Sequence, residues 1–176
     1  MTAPVKPFRF VSSDRRVRED RRFVVGKGRF AADIALPGTR HVALVTCPYP
    51  AARIVAIDKA QALRLPGVHA VVDGRELAAA TEPLIAGLDT PHVQRRPLAV
   101  EMARYTGEWV AAVVADSRAL AEDAAELVHI EYERLPFVLD GEEAFASGSP
   151  PVHAAHGSNV LLDKSFVWGE VEQDFA

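Results

Sequence analysis

The side chains that could perform metal or acid–base chemistry are scattered along this chain. Of its six histidines, only His153 and His156 lie close together, at the i, i+3 spacing that juxtaposes side chains on a helix. The surrounding segment is rich in Pro and Gly, which disfavours a helix, and no further ligand type lies nearby in the sequence. Because a metal site needs a full set of ligands with matched geometry, this pair does not predict a metal centre.

Cys47 is the single cysteine, and in principle it could be a nucleophile activated by a distant histidine. Its neighbours Pro48, Tyr49 and Pro50 instead indicate a rigid turn, and free cysteines are usually small buried hydrophobic residues. A structural thiol is therefore favoured, and a small hydrolase using Cys47 stays as a separate hypothesis. One cysteine also excludes an internal disulfide and an iron–sulfur cluster held by thiolates of this chain alone.

Acidic residues occur in pairs that could serve general acid–base catalysis if burial raised one pKa of the pair. The pairs are Glu122 with Asp123, Glu131 with Glu133, and Glu142 with Glu143. They fall on a helix face, on the polar side of a strand and in a loop, where solvent keeps both members charged. Neither of the glycine-rich phosphate-binding motifs, GxGxxG and GxxxxGK[ST], is present. Taken alone, the residues indicate a soluble α+β domain without a visible active site.

The clearest elements lie between Arg104 and Pro136. Trp109 to Ala115 is a short apolar run that predicts a strand buried on both faces. Ser117 to Glu126 is rich in good helix formers, with Asp116 or Ser117 as its cap. Leu127 to Glu133 alternates apolar and polar residues, as a half-buried strand does. The apolar face of the predicted helix consists of Leu120, Ala124 and Leu127, flanked by Ala121, Ala125 and Val128.

Shorter patterns predict the remaining elements. Strands are expected at His41–Thr46, Arg53–Ile57 and Val68–Asp73. Short helices are expected at Arg75–Ala80 and in the DKAQALRL segment, with Asp58 as N-cap. Thr81 to Pro97 reads as a loop.

Composition changes predict a domain from 23 to 139 between two arms. The basic segment 1–22 is expected to be a solvated, extended arm, with docking on an acidic surface as the alternative. Segment 140–176 is rich in small residues, Gly and Pro, and is expected to be irregular. Its end is too apolar for an idle tail, so it should either dock on another chain or fold back on its own domain. The candidate docking residues are Phe166, Val167, Trp168 and Phe175.

The overall composition is that of a soluble globular protein, with 49% hydrophobic and 25% charged residues among 176. The formal charge of −4 argues against a nucleic-acid or anionic-membrane partner. No apolar stretch approaches the roughly 20 residues of a membrane span, and the N-terminus has no apolar signal core. A cytoplasmic protein is expected.

Three motifs resemble the N-terminal α/β-hammerhead domain of the molybdenum hydroxylase family, which includes xanthine dehydrogenase, aldehyde oxidase and aerobic carbon monoxide dehydrogenase. They are REDRRFVVGKGRFAADIALPG (Arg18 to Gly38), PYPAARIVAIDKAQALRLPGVHAVVDGREL (Pro48 to Leu77) and RYTGEWVAAVVADSRALAEDAAELVHIEYERLP (Arg104 to Pro136). Asn159-Val160 and the final WGEVEQDFA resemble the passage into the family's molybdenum domain. Each motif is modestly specific, but their order and spacing together are strongly specific.

The resemblance implies a fold of mixed sheet, a few short helices and an extended C-terminal arm. It also implies that molybdopterin, the iron–sulfur centres and, where the enzyme has one, FAD belong to other parts of the assembled enzyme. No catalytic, cofactor or metal residue is therefore assigned here. The first functional hypothesis is a non-catalytic domain or split subunit that docks on the molybdenum-binding part, and through it on iron–sulfur and FAD subunits. The second is a stand-alone binding or scaffold module, or a truncated remnant, with Trp168 shielded in the free chain.

Overall fold

The protein is described here by a computed structural model, which covers residues 17–34, 36–84, 93–169 and 175. Contacts between backbones divide the chain into two compact units, one up to Thr39 and one from Arg40 onward. The strands described are β1 His41–Thr46, β2 Ala52–Asp58, β3 Val68–Asp73, β4 Met102–Ala103, β5 Trp109–Ala115 and β6 His129–Arg134. The helices are α1 Asp20–Val24, α2 Gly74–Ala80, α3 Arg118–Glu126 and α4 Gly141–Phe145, with 3₁₀ turns at Ala31–Asp33 and Ala62–Arg64.

The first unit contains α1, so the expectation of an extended arm up to residue 22 is wrong for its last residues. The Val17 N–H donates to Asp20 Oδ2 at 3.0 Å, which closes the turn that leads into α1. An ion pair of 3.1 Å joins Glu19 and Arg22 one turn apart. The Phe23 and Phe30 rings stack with centroids 5.2 Å apart. Local hydrogen bonds and this ring contact therefore order the chain before the main domain.

The second unit is built on two sheets, with strand orders β1-β5-β3 and β4-β2-β6. Every pairing of these strands is antiparallel, so the α+β class is confirmed but the expectation of a mixed sheet is wrong. The consecutive strands β5 and β6 lie in different sheets, with α3 between them in sequence. A crossover helix that joins two parallel strands of one sheet is thus absent at this point.

The central strand β5 supplies much of the core. Val110, Ala111, Val113 and Ala115 are fully buried, as the uninterrupted apolar run predicted. Trp109 at the start of the strand is 48% exposed, which that prediction did not anticipate. Helix α3 covers this sheet and contributes Ala121 and Ala124, which are 1% and 0% exposed.

The buried face of α3 is rotated from the predicted one. Leu127 was expected on it but is 36% exposed, whereas Ala121, expected only to flank the face, lies against Ala43 and Ala115. Small residues at the contact allow the helix to approach the sheet closely. The predicted cap is confirmed for Ser117, whose hydroxyl accepts from the Leu120 N–H at 3.2 Å.

Two other predictions about helices are corrected. In the DKAQALRL segment only Ala62–Arg64 form a 3₁₀ turn, because β2 continues to Asp58 and Pro66 holds Leu65 in an extended conformation. Segment 140–176 is not irregular throughout, since α4 begins after Asp140. The Asp140 carboxylate accepts from the Glu142 N–H at 2.8 Å and caps the helix.

Candidate partner-docking surface

The candidate docking residues at the end of the chain are strongly exposed. The exposed fractions are 73% for Phe166, 85% for Val167 and 82% for Trp168. Phe175 is 88% exposed, and residues 170–174, which include the neighbouring Val171, lie outside the described ranges. Phe166 and Trp168 are thus close in sequence and both exposed, which keeps them as candidates for docking.

Phe166 and Trp168 lie against each other, with ring centroids 6.2 Å apart and planes 20° from parallel. Aromatic rings in offset stacks attract one another, so the two side chains present one joint surface. The segment carries no helix or strand from residue 161 to 168. A chain that folded back on its own domain would shield Trp168, and the exposure of this indole argues against that alternative.

Asn159 organises the arm that leads to this surface. Its Oδ1 accepts from the Val152 N–H at 2.8 Å, and its Nδ2 donates to the carbonyls of Ala144 and Pro150, both at 3.1 Å. One side chain thus connects α4 with the irregular segment at Pro150–Val152 and with the residues before the exposed segment. The sequence marked Asn159 only as part of a resemblance, because an asparagine in a Gly-rich stretch does not reveal such long-range hydrogen bonds.

His153 and His156 lie in the irregular stretch between α4 and the exposed aromatic segment. In the described parts of the chain, no group of three or more His, Cys, Asp or Glu side chains could hold a metal ion. The His156 ring nitrogen Nε2 lies 2.9 Å from the Val160 carbonyl. Burial lowers the pKa of His153, and the positive charge of Arg104 lowers it further. The cleft beside His153 has a volume of about 890 Å³, and its lining includes Arg95, Arg96 and Arg104 together with Glu101 and Glu108.

Cys47 is fully buried, in agreement with a structural thiol. It lies in the core cluster with Val110 and Ala103, and its sulfur accepts from the Tyr49 N–H at 3.5 Å. Burial raises the pKa of the neighbouring Tyr132 hydroxyl, and the Cys47 thiol adds to the effect. A thiol at 0% exposure is closed to a substrate, so the geometry does not support the Cys47 hydrolase hypothesis.

The paired carboxylates lie at the surface, as the sequence indicated. Glu122 pairs with Arg118 at 2.8 Å and Glu133 with Arg53 at 2.9 Å, and all four side chains are more than half exposed. Exposed ion pairs of this kind contribute little to stability and do not hold a carboxyl group protonated. They therefore provide no acid–base pair.

The most enclosed charged cluster was missed by the sequence reasoning. Lys59 Nζ lies 2.5 Å from Asp73 and 2.7 Å from Glu76, and the side chains of Lys59 and Asp73 are each 15% exposed. Asp73 also caps α2 through the Arg75 and Glu76 N–H groups. The D-x-x-E pattern of a capping box could have revealed the Asp73–Glu76 half of this cluster. Its role is structural, since it joins the end of β2 to the junction of β3 and α2.

The comparisons with known proteins agree with this fold. Residues 25–136 match the family described as "Aldehyde oxidase and xanthine dehydrogenase, a/b hammerhead domain". The chain belongs to this family. Its domain is thus an α/β-hammerhead domain, and the family is one of molybdenum hydroxylases, as the motifs indicated.

Relatives of known function extend the match. The hammerhead chain is 37% identical to the carbon monoxide dehydrogenase large chain of Hydrogenophaga pseudoflava, over 86% of its own length and 20% of the relative. It is also 37% identical to the 6-hydroxypseudooxynicotine dehydrogenase complex subunit gamma of Paenarthrobacter nicotinovorans, over 90% of its own length and 21% of the relative. The chain therefore spans about a fifth of these relatives.

A solved structure gives the same picture. The crystal structure of quinoline 2-oxidoreductase from Pseudomonas putida 86 superposes with a TM-score of 0.70 at 43% identity, over 77% of this chain and 17% of that one.

None of the helices described in the hammerhead chain has the length and hydropathy of a bilayer span.

Proposed function

We propose that the hammerhead chain is a non-catalytic part of a molybdopterin-dependent hydroxylase or dehydrogenase and that it docks on the molybdenum-binding part of that enzyme. The observation that carries this proposal is the exposed Phe166–Trp168 stack, which follows a domain matched to the hammerhead family. Aromatic side chains are enriched at the centres of protein interfaces because they bury a large area at a small entropic cost. Docking would remove this surface from water.

The donor set of the chain does not fit an iron–sulfur cluster held by this chain alone. Its one cysteine is buried, and the described residues contain no ligand cluster for a metal. Molybdopterin and FAD need no such ligands, and it is on the family resemblance that we assign them, together with the iron–sulfur centres, to partner parts. The substrate of the assembled enzyme would be an aldehyde, an N-heterocycle or carbon monoxide, and the chain itself would position its partner rather than react.

Co-purification tests this proposal. The chain is expressed with an affinity tag in its native cell and recovered at low ionic strength, and the eluate is assayed for molybdenum and for the fluorescence of oxidised pterin. We expect both in stoichiometric amounts. Recovery of the tagged chain with neither molybdenum nor pterin, from cells that contain the active enzyme, would contradict the proposal.

The alternative, a stand-alone binding or scaffold module or a truncated remnant, requires a shielded Trp168. The indole is 82% exposed, which counts against this alternative. Light scattering provides a second discriminator, because a stand-alone module stays monomeric at all concentrations. A chain that stays monomeric at all concentrations and binds no molybdenum-bearing polypeptide would support the stand-alone module.

A further inference from the structure

Among the described residues, strand β1 forms one outer edge of its sheet and pairs with β5 on one side only. Just beyond β1, both backbone groups of Cys47 point toward the β5 side. Its N–H donates to the Glu108 carbonyl, and its carbonyl accepts from the Gly107 N–H. Successive residues of a strand direct these groups to opposite sides. The register shifts between Val45 and Thr46, but the extra residue there, Val110, belongs to β5, so β1 keeps its own alternation. The N–H and C=O groups of Val42, Leu44 and Thr46 therefore point away from β5, along the outer edge.

The other edges of the two sheets are protected in ways that β1 is not. β6 has the sequence HIEYER, with four ionisable side chains besides its tyrosine. β4 has only two residues, and β3 is flanked by the Lys59–Asp73 ion pair and by the His69–Asp116 contact. β1 has the sequence HVALVT, in which His41 is the one ionisable side chain, and the preceding Arg40 pairs with Asp116 at 2.6 Å. Charges thus lie only at the start of β1. Natural proteins guard exposed edges with charges, Pro or short strands, so the uncharged stretch from Val42 to Thr46 is suited to strand addition.

A groove accompanies this edge. Its volume is about 690 Å³, and it is lined by the whole of β1 on one side and by α3 on the other. Val42 and Leu44 are 59% and 39% exposed beside it. On the helix side lie Ala125, the Arg118–Glu122 ion pair and Glu126, which has no ion-pair partner among the described residues. An added strand would meet apolar side chains on one face and a carboxylate on the other.

We infer that the free edge of β1 receives an extended strand from the molybdenum-binding part of the large subunit. This inference rests on the proposed function and adds the surface and the mode of docking. About four fifths of the length of the relatives lies outside the matched region, so the assembled protein has ample chain to supply a strand. The strand carries apolar residues opposite Val42 and Leu44 and a Lys or Arg opposite Glu126.

Hydrogen–deuterium exchange on the assembled enzyme, resolved to single amides, tests the inference. We expect slow exchange at Val42, Leu44 and Thr46, because these amides become donors to the added strand. Fast exchange at these three amides in a preparation that contains the molybdenum-binding part would overturn the inference and leave the proposed function intact. A preparation in which no molybdenum-binding part is associated would overturn both.

A matched pair of charge substitutions tests the same edge energetically. Val42→Lys places a charge beside the groove, whereas Val55→Lys makes the same change at a valine of β2 that is 49% exposed. We expect Val42→Lys to weaken association with the molybdenum-binding part about tenfold, because the ammonium group replaces an apolar contact with the added strand, and Val55→Lys to leave it unchanged. Equal affinities of the two variants would overturn the inference.

Chemical cross-linking with isotope-labelled protein identifies the occupant. Cross-links from a reactive side chain placed at position 42 to the molybdenum-binding part support the inference. Links between labelled and unlabelled copies identify a second copy, and links to residues of the same chain identify one of its own segments. Either of these two results would overturn it.

Discussion

Gly74 occupies a position that tolerates no side chain. It begins α2 directly after Asp73, and a Cβ placed on it would lie 1.9 Å from the carbonyl oxygen of Ala99. Gly141 stands in the same place in α4, directly after Asp140, but a Cβ there meets nothing within 4 Å. The two Asp-Gly pairs look alike in sequence, so the requirement at Gly74 comes from the distant chain that packs on it.

Gly74→Ala should therefore destabilise the domain. Its methyl group collides with backbone that is itself buried, and overpacking of this kind costs about 1–3 kcal/mol of unfolding free energy. Gly141→Ala is the control, and it should be neutral or stabilise by up to about 1 kcal/mol, since Ala is the better helix former. Urea unfolding followed by circular dichroism measures both. Equal effects of the two substitutions would mean that the contact with Ala99 does not constrain position 74.

At the scale of elements, Lys59 connects the end of β2 to the start of α2. Burial by itself lowers the pKa of Lys59 and raises that of Asp73, but their mutual hydrogen bond and charges reverse both shifts. The pKa of Lys59 is therefore raised and that of Asp73 lowered. Glu76, which is more exposed, has its pKa lowered chiefly by the hydrogen bond from Lys59. The cluster is thus most stabilising when both carboxylates are charged.

The stability of the domain should decrease in acid because of this cluster. A carboxylate whose pKa is lower in the folded state stabilises fully above its ordinary pKa, which is 3.8 for Asp73 and 4.5 for Glu76. That contribution is lost as pH falls through the lowered folded values. Thermal melts between neutral pH and acid should show a smaller decrease for Asp73→Asn than for the unmodified chain.

Glu133→Gln provides the control for the acid melts, because its ion pair with Arg53 is more than half exposed. This variant should follow the acid dependence of the unmodified chain. An Asp73→Asn variant that also followed it would show that the buried cluster does not control acid stability.

At the scale of the whole molecule, the docking proposal predicts that the exposed aromatic residues affect binding to the molybdenum-binding part but not the stability of the fold. Phe166 and Trp168 are 73% and 82% exposed, so they contribute little to the fold of the chain. Within an interface, a truncated aromatic anchor commonly costs about 2 kcal/mol or more of binding free energy. The two quantities should therefore respond differently to substitutions at these positions.

The double variant Phe166→Ser, Trp168→Ser should keep its melting temperature but retain much less of the molybdenum-binding part. A loss of about 2 kcal/mol corresponds to roughly thirtyfold weaker binding. Phe145→Ser is the matched control, since Phe145 is 77% exposed on α4. Binding is measured by titration in solution. If the control and the double variant bind equally well, the exposed stack is not an anchor.

The sequence by itself determined the family, through motifs in their characteristic order, and most of the elements of the main domain. The apolar run of β5 and the alternation of β6 were sufficient to locate these strands, because both patterns follow from burial within a few residues. The helix formers of α3 were sufficient to locate the helix, because helix propensity is a local property. The domain boundaries at 22/23 and 139/140 and the docking role of Phe166, Val167, Trp168 and Phe175 remain predictions.

Only the tertiary structure decided how these elements combine. Strands β5 and β6 are neighbours in sequence but lie in different antiparallel sheets. The Lys59–Asp73 ion pair, the approach of Ala99 to Gly74 and the outer position of β1 in its sheet likewise depend on residues far apart in the chain. Periodicity indicated the half-buried side of β6, although it misplaced the buried face of α3. It does not reveal the partner that buries a face, because that choice depends on the packing energy of the whole domain.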